Sequence, residues 1–142
     1  MSVADLRVDR QPAFVLHRRA WRETSLLLEL LTRDFGRVGV IARGARGGRR
    51  GPGACSQAFQ PLLVSWSGRT DLKTLTAAEA VSAAPAIVGE RLYTALYVNE
   101  LLVRLLLQHD AHRAVFAAYA GLLPALATAV DLEPLLRRFE LL

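Results

Sequence analysis

The sequence predicts a small five-stranded β-barrel followed by an α-helical region. Of the 142 residues, 52% are apolar and 22% are charged, which is the composition of a folded chain rather than a disordered one. Residues 1–80 break into short apolar runs separated by turn-forming residues, as strands do. Residues 81–142 carry long leucine- and alanine-rich stretches that are typical of helices. We therefore expect two domains, 1–80 and 81–142.

Five strands account for the first domain. They are predicted at residues 14–19, 25–32, 38–41, 59–66 and 72–80. Gly36 ends the turn between the second and third strands, at the position that needs a positive φ. Residues 67–71 form a hairpin loop between the last two. Five short strands with one long polar loop predict a closed barrel such as an OB-fold, which leaves no strand edge unpaired.

Three helices account for the second domain. They are predicted at residues 89–108, at 114–129, and from Leu132 to the last residue. The first is apolar on nearly every face, which predicts a central core helix. Pro124 should kink or divide the second, and Asp131 should cap the third. Because the third ends at Leu142 on an apolar stripe without a cap, we expect this chain to be incomplete.

The positive charge is concentrated in the first domain. The chain has 18 basic and 13 acidic side chains, a net charge of +5, and its first 80 residues hold 13 of the basic and 7 of the acidic ones. Such asymmetry points to a polyanionic partner, and guanidinium groups suit phosphate. The positive charge is densest at residues 37–50. The alternative to DNA binding there is that these residues form only a solvated Arg/Gly loop. The predicted DNA-binding residues are Arg37, Arg43, Arg46, Arg49, Arg50, Arg69 and Lys73.

Sequence motifs for catalysis or metal binding are weak. Cys55 is the only cysteine, so an internal disulfide is excluded and a nucleophilic role lacks a partner motif. His109 and His112 have no identifiable third ligand, and a helix-end polar cluster fits them better than a metal site. Trp21 and Trp66 either stack on bases or belong to the core. We predict no enzyme activity, no cofactor and no metal.

Targeting signals are also missing from the sequence. The chain does not open with a secretory signal pattern. Its most apolar stretch, residues 92–107, is interrupted by Asn99, Glu100 and Arg104, and it is too short to span a bilayer. We expect a cytoplasmic protein without a membrane partner.

Short motifs recur in order along both domains. They are FVLH (14–17), WRETSL (21–26), GRV (36–38), ARGAR (42–46), QPL (60–62), LKTL (72–75), LYVNELL (96–102) and LRRFEL (136–141). No single motif is diagnostic, but in their order and spacing they resemble the bacterial RecO recombination-mediator proteins. The resemblance covers essentially the whole chain.

The resemblance implies a function in DNA repair. It implies an N-terminal OB-fold that binds single- and double-stranded DNA, followed by a helical domain. It further implies annealing of complementary strands and help in loading the RecA recombinase, without nucleotide hydrolysis, at the nucleoid. The implied partners are the single-stranded-DNA-binding protein, RecR and, indirectly, RecA. Some members carry a cysteine zinc site in a later portion, which these residues cannot supply.

The resemblance also implies a site for the acidic, aromatic-ended tail of the single-stranded-DNA-binding protein. We place it at Arg137, Arg138 and Leu141, where a guanidinium beside exposed apolar groups can hold a carboxylate. The alternative is that Arg137 pairs with Glu133 as an ordinary surface contact. The alternative function for the whole chain is a protein-interaction adaptor whose basic loop is incidental.

Overall fold

A closed five-stranded barrel followed by three helices makes up the protein. The structure is a computed structural model, and it describes residues 7–45 and 57–142. The elements are β1 (Arg7–Trp21), β2 (Ser25–Thr32), β3 (Gly36–Ala42), β4 (Leu62–Ser67), β5 (Leu72–Ala80), α1 (Glu90–Leu105), α2 (Arg113–Thr128) and α3 (Glu133–Glu140). The strand order is β1-β2-β3-β5-β4, with β3 and β5 parallel and the other pairs antiparallel. The predicted fold class is confirmed.

The first strand is longer than the predicted one at 14–19. Its first half pairs with β4, where Val8 lies opposite Trp66, and its second half pairs with β2, where Trp21 lies opposite Ser25. The register shifts between residues 8 and 11 and between 15 and 17. Such bulges bend a strand, and Arg10 takes a positive φ of 49° inside the first one. One bent strand therefore serves two neighbours and closes the barrel.

Most other strand boundaries follow the local residue chemistry. The predicted bounds of β2 and β5 are confirmed, and Gly36 has the predicted positive φ, at 70°. The start of β4 was predicted at Phe59 but lies at Leu62. Phe59 has a left-handed φ of 68°, and Pro61 has no N–H to donate to a ladder. Pairing can begin only after these two residues.

Two apolar cores share the strands. On β1 and β2, Val15 and Leu30 point into the barrel, while Phe14 and Leu31 point outward toward the helices. This is the ordinary alternation of a β-strand, here with apolar residues on both faces. The outer core also takes in the buried faces of the helices, namely Ala95, Val98, Leu102, Tyr119, Leu122, Leu123, Leu126 and Phe139.

The first helix is not buried on all sides. It buries Ala95, Val98, Asn99 and Leu102, whereas Tyr93 is 75% exposed. The prediction of a central core helix is therefore wrong, because only one side of α1 meets the barrel and α2.

Among the helices of the described residues, none has both the length and the apolar character that a membrane span requires.

The other two helices correct further expectations. α2 continues through Pro124 as one element, so the proline does not divide the helix. α3 ends at Glu140 rather than running to the last residue. Asp131 is not the predicted cap, because Leu132 occupies the N-cap without a side-chain cap hydrogen bond; Asp131 Oδ1 does accept a hydrogen bond from the Glu133 amide, at 3.2 Å.

A hydrogen bond inside the helical region joins α1 to α2. The Tyr119 hydroxyl donates to Asn99 Oδ1 at 2.5 Å, and both side chains are buried. Burial raises the pKa of the Tyr119 hydroxyl above its usual range, although the bond to Asn99 opposes the shift. The hydroxyl therefore remains protonated and keeps its role as donor.

The loop between α1 and α2 docks on β3. Arg37 donates through Nη1 to Glu29 Oε1 at 2.7 Å and through Nε to the Leu106 carbonyl at 3.0 Å. The Arg37 carbonyl accepts from the His109 amide at 2.8 Å. A Cβ on Gly36 would lie 2.2 Å from the Asp110 carbonyl oxygen, so only glycine permits this approach.

The turn between β2 and β3 makes a second connection to the helices. Asp34 forms ion pairs with Arg33 and with Arg113, the first residue of α2. It also accepts from Gln11 Nε2 at 3.1 Å. The pKa of the Asp34 carboxyl is held below its usual value, mainly by the hydrogen bond from Arg33. The hydrogen bond from Gln11 and the charge of Arg113 also lower this pKa, whereas burial opposes the shift. The barrel and the helices are thus joined at one end of β3.

Replacing Arg37 with alanine is expected to destabilise the chain. The Glu29 and Arg37 side chains are each only 15% exposed, and breaking a largely buried pair from one side costs about 3 kcal/mol. Arg104→Ala is the matched control, because Arg104 pairs with Glu100 on the exposed surface of α1, where such a pair contributes about 0.5 kcal/mol. Urea unfolding measures both. Equal unfolding midpoints for the two variants would contradict this role of Arg37.

Candidate nucleic-acid interface

The outer surface of β1, β2 and β3 carries polar and basic side chains beyond the helical junction. On β2, Leu28 points into the barrel core, so its neighbour Leu27 points outward. Arg19 lies opposite Leu27, and Trp21 lies opposite Ser25. Residues directly opposite in an antiparallel pair share one side of the sheet. Arg19 and Trp21 therefore lie on this outer face.

A groove lies at the far end of the outer face, where β1 turns into β2. We call it the hairpin groove; its volume is about 650 Å³. It is lined by Trp21, Arg22, Glu23, Thr24, Ser25, Ile41, Arg43 and Gly44. The Arg22 guanidinium carbon lies 5.9 Å from the centroid of the Trp21 ring. An aromatic ring, hydroxyl groups and guanidinium groups thus surround one space.

Two basic side chains at this end are available to a ligand. Arg19 and Arg43 are exposed, and within residues 7–45 and 57–142 neither has an ion-pair partner. Glu29, farther along the outer face, is paired with Arg37. Glu23 is the acidic residue that lines the groove. This end of the barrel therefore favours an anion.

The structure separates the seven cations that the sequence groups together. Arg43 lines the hairpin groove, whereas Arg46, Arg49 and Arg50 follow it in sequence and lie outside the described residues. Arg37 is engaged at the helical junction. Lys73 is only 5% exposed, and its Nζ donates to the Gly68 carbonyl at 3.2 Å.

Arg69 is exposed but lies elsewhere. It belongs to the loop before β5, whose first residue Leu72 pairs with Gly39. Gly39 precedes Arg43 by four residues, or about 13 Å along a strand. Arg69 therefore does not line the hairpin groove with Arg43.

Arg19 and Arg22 are not among the DNA-binding residues predicted from the sequence. The signal was available, because WRETSL (21–26) places an arginine beside an aromatic residue at a hairpin tip, two residues after Arg19. The structure also separates the two tryptophans. Trp66 is 2% exposed in the barrel core, so base stacking by Trp66 is excluded. Trp21 is partly exposed at the groove.

His109 and His112, near the junction of the barrel and the helices, each lie close to an aspartate. His109 Nε2 lies 3.1 Å from the Asp71 carbonyl oxygen, and His112 Nε2 lies 4.0 Å from Asp110 Oδ2. Among the residues whose positions are described, no three His, Cys, Asp or Glu side chains are grouped to hold a metal ion. Cys55 lies outside those residues.

A second groove lies between α2 and α3, with a volume of about 390 Å³. It is lined by Ala118, Gly121, Leu122, Ala125, Leu135, Arg138, Phe139 and Leu142. Arg138, one of the residues predicted for the tail site, lines this groove. Arg137 instead pairs with Glu133 at 2.7 Å, which is the alternative contact, and Leu141 is 87% exposed outside the groove lining.

Two protein-family models match this chain. Residues 6–84 match the family model described as "Recombination protein O N terminal". Residues 88–142 match the one described as "Recombination protein O C terminal". The chain belongs to the RecO family.

RecO proteins of several bacteria are close in sequence to this chain. The relative from Methylococcus capsulatus is 53% identical, and that from Aromatoleum aromaticum is 50% identical. Each alignment covers 95% of this chain and 56% of the relative. A relative from Nitrosococcus oceani is 49% identical over 95% of this chain and 55% of its own length. All three are named "DNA repair protein RecO", so the resemblance inferred from the motifs is confirmed. The chain spans about half the length of these curated relatives.

Proposed function

We propose that this chain is a non-catalytic DNA-binding mediator of recombination in DNA repair. The observation that carries the proposal is the pair of exposed, unpartnered guanidinium groups of Arg19 and Arg43 at the hairpin end, within the part of the chain that is described. In the sequence, Arg46, Arg49 and Arg50 follow shortly after Arg43. Phosphate contacts of this kind position a strand without reading its sequence. The chain therefore binds single- and double-stranded DNA of any sequence.

Binding should weaken steeply with salt, because each neutralised phosphate releases counterions. If about four cations act on single-stranded DNA, the slope of log affinity against log salt is roughly −3. Changing Arg43, Arg46, Arg49 and Arg50 together to alanine should flatten the slope and lower affinity for every sequence alike. Fluorescence anisotropy with a labelled oligonucleotide at several salt concentrations measures this.

A smaller variant tests the described surface alone. Arg19→Ala combined with Arg43→Ala should reduce the slope by about 1.4, the share of two phosphates. Arg104→Ala removes an exposed positive charge from α1 and serves as the control. An unchanged slope in both the double and the quadruple variant would refute the interface. It would favour the alternative function, a protein-interaction adaptor with an incidental basic loop, for which the α2–α3 groove is the supporting observation.

The mediator role includes annealing of complementary strands. A surface that neutralises two phosphate backbones lowers their mutual repulsion, and this requires neither nucleotide hydrolysis nor a metal ion. Annealing of two dye-labelled complementary oligonucleotides should therefore proceed without ATP and remain unchanged in the presence of a chelator. It should slow when Arg19 and Arg43 are both replaced by alanine. A requirement for ATP would contradict the proposal.

The α2–α3 groove supports a partner site on the helices. We place there the acidic, aromatic-ended tail of the single-stranded-DNA-binding protein, with its ring among the apolar side chains and a carboxylate on Arg138. From membership of the RecO family we also propose RecR as a partner and help in loading RecA. Arg137 is less suited than Arg138, because Glu133 already holds its guanidinium.

Three variants test the tail site by calorimetry with a tail peptide. Arg138→Ala should weaken binding by roughly 1–3 kcal/mol, as expected for a charge-assisted contact. Gly121→Leu should block the groove, because a side chain at Gly121 enters open space and leucine favours the helix more than glycine does. Arg137→Ala is the matched control, and direct DNA binding should persist in all three. A larger loss for Arg137→Ala than for Arg138→Ala would move the site to Arg137.

A further inference from the structure

Trp21 belongs to neither core of the protein. The barrel core contains Trp66, and the outer core takes its aromatic residues from Phe14, Phe59 and the helices. Trp21 instead lies at the tip of the β1–β2 hairpin, partly exposed to solvent. A large indole at an exposed tip contributes little to folding, whereas a flat apolar face is what an unpaired base stacks on.

The surroundings of Trp21 form a site of suitable size and chemistry. The hairpin groove measures about 650 Å³, within the usual range for small-ligand sites of roughly 300–1,000 Å³. Arg22, over the indole, has a φ of 54°, a left-handed conformation that costs about 1 kcal/mol for a residue with a Cβ. Such backbone strain at a ligand-facing turn is common where it positions a binding group.

The positions of the cations around Trp21 indicate which kind of ligand the groove binds. Arg43 lines the groove and can hold a phosphate beside a base on Trp21. Arg19 lies on the same face of β1 as Trp21, two residues earlier in the strand, which is a distance of about 6.6 Å. A nucleic-acid strand that lies along β1 would therefore contact the ring of Trp21 first and then the guanidinium group of Arg19.

We propose that the hairpin groove binds an unpaired nucleotide of a DNA strand, with the base stacked on Trp21 and its phosphate on Arg43. This rests on the proposed DNA-binding function and adds its substrate class. Bases within a duplex are already stacked on their neighbours and cannot offer a free face to the indole. Because every base has such a face, the groove accepts any sequence.

The two tryptophans make the proposal directly measurable. Trp66 is 2% exposed, so its emission reports the barrel, while Trp21 reports the groove. Saturating single-stranded oligothymidylate should quench the Trp21 emission, and a duplex of equal length should quench it much less. Trp21→Phe should abolish the quenching without shifting the emission of Trp66, which shows that the barrel is folded. Free thymidine monophosphate, at the concentration that saturates the oligonucleotide, should have no effect.

Affinity measured by anisotropy separates stacking from phosphate contacts. Trp21→Leu should weaken single-strand binding by roughly 5- to 150-fold, the effect of one stacked base, and leave duplex binding within twofold. Trp21→Phe should retain part of the affinity. If the oligonucleotide binds the wild-type chain but neither quenches Trp21 nor weakens with Trp21→Leu, the stacking site is refuted while DNA binding stands. Quenching by the free monophosphate would refute the strand as ligand. If no oligonucleotide binds at all, the proposed function itself fails.

Discussion

The Arg37 guanidinium lies between the Glu29 carboxylate of β2 and the Leu106 carbonyl at the end of α1, and it contacts both. This contact, with the close approach of Asp110 to Gly36, fixes where the helices attach to the barrel. Burying an arginine is favourable only when its charge and its N–H groups find partners. Here these partners come from β2 and from the residue after α1, so the Arg37 side chain links the barrel to the helices.

Attachment at one end of β3 leaves the other end of the barrel uncovered. The outward residues near the junction, such as Phe14 and Leu31, are apolar because the helices cover them. Those at the far end, such as Arg19 and Arg43, are charged and exposed. The division of one sheet surface into a packed part and a basic part is thus a direct consequence of the junction. Of these two parts, only the basic one is left exposed to solvent.

The fold was largely predictable, because alternation and turn chemistry act locally. Gly36 and the bounds of β2 and β5 follow from residues close in sequence. The length of β1 did not follow, since its first half is a strand only through pairing with β4. The exposed face of α1 was also missed, because leucines on every side conceal which side packs.

The site was less predictable, because charge alone does not show what a cation contacts. Arg37 and Arg43 look equivalent in the sequence, yet one is held at the junction and the other is exposed. Similarly, Arg137 and Arg138 are adjacent in the sequence, but they point in different directions from the helix. Arg137 forms an ion pair with Glu133, one turn earlier, whereas Arg138 lines the α2–α3 groove. Trp66 points into the barrel core, whereas Trp21 lies on the outer face at the β1–β2 turn. Such distinctions depend on tertiary contacts between distant residues.

Amide hydrogen exchange, with and without single-stranded DNA, tests most directly that DNA lies at the end of the barrel opposite the helices. Slower exchange is predicted at the β1–β2 turn, residues 22–24, and at residues 43–45 after β3. Exchange at the β4–β5 loop, residues 68–71, and in α3 is predicted to remain unchanged. Protection confined to the β4–β5 loop or to the helices, with none at the β1–β2 turn, would contradict this placement.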